Sequence, residues 1–179
     1  RSRFHAGGHE RTLAELASVV AMLSWKLAIE SIKRMREARF DIDLGRPYFD
    51  YVVETMAFHA HYADRVAFDK LDAEKRTEFT SALARRMAEA IEDNADMLLA
   101  ASEPGACRRH FLEVFNAARR AYAARVREGM PEKDRNWVYD QVMEIEAPEG
   151  VQAIRKTLDG LFGGGEKPVR RAREGLSGE

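Results

Sequence analysis

The chain has 179 residues, of which 45% are hydrophobic and 33% charged, with a formal net charge of −1. This is too much apolar material for a disordered chain, and it sets up no global field that would draw in nucleic acid or an anionic membrane. The longest uncharged stretch, Leu16 to Trp25, is ten residues against the roughly 20 that a membrane helix needs. The lone Cys107 excludes an internal disulfide and fits a reducing, cytoplasmic setting.

Residues 1–11 read as a loose N-terminal arm. Thr12, with Glu15 three residues on, has the form of a capping box opening a first helix over 12–39. Between Leu13 and Trp25 only Glu15 is charged, so apolar side chains surround this half of the helix and call for neighbours on every side. From Lys26 onward the pattern turns amphipathic. Asp41-Ile-Asp43-Leu-Gly45 has the opening of a calcium loop, but its twelfth position is Val52 instead of Glu, so no calcium site is predicted.

Pro47 suits the first turn of a second helix reaching about Lys70. At about 100° per residue, Val52, Met56, His59, Ala63 and Val66 share one face, and Ala57, Ala60 and Ala67 form a small-residue side that lets another backbone approach. Asp72 is the expected N-cap of a third helix over 73–101, with Phe79, Leu83, Met87, Ile91 and Leu98 as its core stripe. Ser102-Glu-Pro-Gly105 is a stop. A fourth helix is predicted over 106–128, a short fifth over 132–146 facing inward with Trp137, Val138, Val142 and Ile145, and a sixth over 148–162. Gly163-Gly-Gly165 ends the pattern, and the Arg-rich residues to Glu179 read as a flexible tail. The fold expected is therefore all-α: an up-down bundle of four long helices plus two shorter C-terminal ones, forming a single domain over 12–162 with a tail over 163–179.

The segment Glu54 to Asp64 gathers two carboxylates and two imidazoles within eleven residues. Bundles build metal sites from such side chains on facing helices. However, His59 and His61 lie about 200° apart on a regular helix and cannot chelate one ion together. The simpler reading makes Glu54, His61 and Asp64 a solvated face. It makes His59, set in the apolar stripe, a core histidine partnered by a hydroxyl, amide or carboxylate, with Ser18, Ser24 and Asn94 as candidates. A ligand or divalent-metal site centred on His59, with Glu54, His61 and Asp64, is the alternative.

The fourth helix carries an arginine stripe, Arg109, Arg120 and Arg127, that could hold phosphates. Glu89, Glu92, Asp93 and Asp96 on an antiparallel third helix are expected to neutralise it, so nucleic-acid binding is not the favoured reading. Cys107, at the start of that helix, reads as a small buried apolar residue and not as an activated thiol. No motif assigns an activity. Two helices with such wide apolar arcs are hard to cover within one chain. The expectation is accordingly a non-catalytic interaction protein, without cofactor, that forms a homodimer through Val19, Met22, Leu23 and Trp25 of the first helix.

Overall fold

The computed structural model describes residues 11–43, 45–95, 99, 103–127 and 148–162, with side chains omitted for 122–127 and 148–152. The described residues form five helices and no strand: α1 (Leu13–Glu37), α2 (Arg46–Phe68), α3 (Ala73–Asp93), α4 (Ala106–Arg127) and α5 (Pro148–Leu161). None of these helices is long and apolar enough to cross a membrane. The all-helical class and the four long helices match expectation. The short helix expected over 132–146, the arm before Arg11 and the tail after Phe162 lie outside the described residues.

The helix starts are set by local chemistry. At α1 the Thr12 hydroxyl accepts from the Glu15 amide at 3.2 Å, and the Thr12 amide donates back to the Glu15 carboxylate at 2.8 Å, completing the capping box. At α2 the cap position is Gly45, whose φ of +117° is open to glycine but strained for other residues, and Pro47 sits in the first turn. At α3 the Asp72 carboxylate accepts from the Lys75 amide at 2.8 Å.

The helix ends are less obvious in the sequence. α1 closes with a paired turn in which the Phe40 amide donates to the Met35 carbonyl and the Arg39 amide to the Arg36 carbonyl. This closure needs a left-handed residue, and Arg39 supplies it at φ +64° in place of the usual glycine. A side chain there costs about 1 kcal/mol, only partly offset by the greater freedom of an unfolded glycine. Arg39→Gly is therefore expected to raise stability by about 0.5 kcal/mol, read as a higher urea midpoint with an unchanged slope. α3 stops at Asp93, shorter than predicted, with the Asn94 side chain donating to the Ala90 carbonyl at 2.7 Å. Glu92 then turns to the next helix, and its carboxylate accepts from the backbone amides of Gly105 and of Arg108 (3.0 Å) at the start of α4. These amides, Arg108 first, hold the Glu92 carboxyl below its ordinary value.

Side-chain contacts fix an up-down order. Ser31 of α1 meets Tyr51 of α2 at 3.0 Å, whereas Ser24, earlier in α1, lies beside His59, later in α2. α1 and α2 are therefore antiparallel. On α4, His110 lies by Asp50 and Phe115 by His61, so α4 runs with α2. α2 packs against each of the other four helices, and α1 also lies along α3. Val20, Ile32, Phe49, Val52, Met56, Phe79, Leu83, Met87, Ile91, Phe111, Ile154 and Leu158 are fully buried in one continuous core. Ala57, Ala60, Ala63 and Ala67 on α2 and Ala17, Ala21 and Ala28 on α1 are buried too. Small side chains at these contacts let the helix backbones approach closely, as the alanine side of α2 predicts.

Candidate functional site

The middle of α2 sends its polar side chains in three directions. Glu54 points to solvent. His59 is buried against α1, only 7% exposed, and its ring lies by the backbone carbonyl of Ser24. Burial pushes its pKa down to about 4, with that carbonyl opposing the shift. His59 Nδ1 and the Ser24 hydroxyl are both buried without a hydrogen-bond partner among the described residues. Of the side-chain partners expected for His59, Ser24 lies beside it but presents its backbone carbonyl, while Ser18 and Asn94 are engaged elsewhere, donating to the Ala14 and Ala90 carbonyls.

His61 and Asp64 do not form a solvated face with Glu54; both are half-buried. The His61 ring stacks on Phe115 of α4, with centroids 4.6 Å apart and planes within 10°. Its Nε2 donates to the Phe115 carbonyl at 3.2 Å. Desolvation lowers the His61 pKa, the Phe115 carbonyl and Asp64 raise it, and Arg119 lowers it further. Asp64 faces α3, where its carboxylate takes Arg76 Nε at 2.9 Å and the Thr80 hydroxyl at 2.6 Å, and pairs with a second guanidinium nitrogen of Arg76. His59 and His61 thus diverge to opposite neighbours, as their 200° separation requires. Among the described residues no three His, Cys, Asp or Glu side chains converge on a point that could hold a metal ion.

Beside the Asp64–Arg76 pair, α2, α3 and α4 leave a cleft of about 170 Å³. Arg76, Thr77 and Ser81 of α3 and Arg119 of α4 line it, with Phe115 at its floor. Sequence reasoning missed this cleft because its residues come from three helices, and none of them breaks the pattern of its own helix.

A second polar group joins α2 to α4. Arg46 Nε binds Asp50 at 2.7 and 2.9 Å, and His110 Nε2 lies 3.6 Å from Asp50. Arg46 and Asp50 are both partly open to water, and such a pair contributes little stability. Cys107, one turn before His110, is 2% exposed and sits in the core.

On the outer side of α1, Met22 is 51% exposed, while Val19, Leu23 and Trp25 are half-buried. Trp25, Leu27 and Ile29, with Lys26, Glu30 and Lys33, line an open hollow of about 410 Å³. Of the arginine stripe, Arg109 and Arg120 are exposed, and the Arg127 side chain lies outside the described residues. Glu92 meets α4 through backbone amides; Arg109 reaches it only through the longer-range attraction of its charge. A scan against protein-family models found no match, and neither did comparisons with curated proteins and with solved structures.

Proposed function

We propose that this chain is a non-catalytic interaction protein that works as a homodimer, pairing through the outer face of α1. The observation that carries this reading is the row Met22, Trp25 and Ile29, large apolar side chains left half or partly open to water on one side of a helix whose other side is core. Solvent-facing helix surfaces are normally polar, and a continuous apolar row marks a contact surface.

The register favours a second copy as the occupant. An antiparallel two-fold pairing centred between Trp25 and Lys26 sets Met22 against Ile29 of the other copy and brings the two Trp25 rings together. The same pairing places Glu15 opposite Arg36, so the ends of the contact are matched in charge. In this register Lys26 stands opposite Trp25 of the other copy, a cation set over an indole face, and Lys33 stands opposite Ser18 and contributes to a polar rim.

Sedimentation equilibrium at micromolar concentration is expected to give twice the chain mass. Met22→Glu or Ile29→Glu places a charge in the centre of the contact twice over by symmetry. Each is expected to weaken dimerisation roughly 100-fold or more while leaving helical content unchanged. A wild-type protein that sediments as a monomer across this range overturns the reading.

A further inference from the structure

We infer that the cleft between α2, α3 and α4 is a binding site for a small oxyanion, a phosphate or a carboxylate group, held by Arg119 with Ser81. The argument is one of charge and space. Among the described residues the one carboxylate lining the cleft, Asp64, is engaged: Arg76 spans both of its oxygens and the Thr80 hydroxyl donates to one of them. That pair is neutral in sum. Thr77 is engaged as well, donating to the Ala73 carbonyl at 2.8 Å. Arg119 remains, exposed and, among the described residues, without a carboxylate in ion-pair range. The cleft therefore carries a net positive charge, with a guanidinium fork and the Ser81 hydroxyl lining it. A guanidinium fork matches the paired oxygens of phosphate and carboxylate. The volume, about 170 Å³, is that of several water molecules at roughly 30 Å³ each, enough for one such group and a partial hydration shell.

His61 supplies a built-in reporter. It stands behind Phe115 and feels the charges of Asp64 on its own helix and of Arg119 on α4. Arg76 of α3 lies across the same cleft but is tied to Asp64. An anion seated on Arg119 offsets the cation that opposes protonation of His61, so binding and protonation favour each other by linkage.

The test uses the full chain, with inorganic phosphate and acetate as separate probes. The His61 ring resonance is followed by NMR from pH 5 to 8, with chloride at matched ionic strength as the reference. A rise in the His61 pKa that saturates with phosphate, with acetate or with both supports the site, and the pattern tells which oxyanion chemistry it prefers. Arg119→Ala is expected to weaken binding tenfold or more and Ser81→Ala a few-fold, whereas Lys33→Ala, an exposed cation on α1 beside the other hollow, changes it little. Three results overturn the inference: no shift beyond the chloride reference with either probe, a response that never saturates, or equal losses for Arg119→Ala and Lys33→Ala.

Discussion

Acidifying the protein from pH 7 to pH 4 is expected to remove roughly 3 kcal/mol of folding stability through His59 alone. In the unfolded chain this imidazole takes up its proton near pH 6.5, whereas in the fold burial holds its pKa at about 4. Between those values the unfolded state binds more protons than the native state, so stability falls as pH falls. The contribution is complete above pH 6.5, declines through the window, and is flat below about pH 4. His61, whose pKa is also lowered chiefly by burial, acts with the same sign. Glu92 and Asp72, both held below their ordinary values by backbone amides, add their losses only below the ordinary carboxylate range.

Replacing His59 with leucine isolates the first effect. The variant loses the titrating group and also the unpartnered Nδ1, whose burial costs about 1–3 kcal/mol. His59→Leu is therefore expected to be no less stable than the wild type at pH 7 and clearly more stable at pH 4.5. The comparison is made by urea denaturation at steps of half a pH unit. Parallel curves for the two proteins would show that His59 does not titrate between folded and unfolded states.

The contrast between the two histidines shows what the sequence could and could not convey. Helix angles alone place His59 inside and separate it from His61, because that geometry belongs to one helix. They also put His61 and Asp64 on the polar side with Glu54, which is where the reading departs from the structure. That side is covered by Phe115 of α4, more than fifty residues away in sequence, and by Arg76 and Thr80 of α3. Nothing in the α2 sequence announces those neighbours. For His59 the sequence offered Ser24 through its hydroxyl; the group that lies against the ring is its backbone carbonyl, which every residue type carries.

Helix boundaries divide in the same way. Thr12–Glu15 and Asp72 cap through side chains within three residues, so they are legible as motifs. The end of α1 is also local, but Arg39 closes it in a left-handed conformation without the glycine that would announce it; the end of α3 involves Glu92 reaching across to α4, against a helical pattern that continues past it.

Phe79→Ala is expected to produce the largest loss of stability, about 3–5 kcal/mol, because a fully buried aromatic is removed from a seam that cannot easily collapse. Phe79 sits edge-on to Phe162, with centroids 5.4 Å apart and planes at 74°, where the end of α5 meets α3. In a domain of this size the loss lowers Tm by roughly 10 °C. The other tie at this end of α5 is the Lys70–Asp159 ion pair at 2.9 Å, whose side chains are 30% and 50% exposed. An exposed pair of this kind contributes less than about 1 kcal/mol. Apolar contact, through Phe162 and the fully buried Ile154 and Leu158, must therefore hold α5 against α1 and α2. Three variants separate the two mechanisms by thermal unfolding. Phe162→Ala, at a half-buried position, is expected to cost about half as much as Phe79→Ala, and Asp159→Ala almost nothing. The double variant of the two phenylalanines should lose about 0.5–1.5 kcal/mol less than the sum of its parts, since each single change already breaks the shared ring contact. If Asp159→Ala were instead the costlier change and the phenylalanines added independently, α5 would be held by charge and the ring pair would contribute no stability of its own.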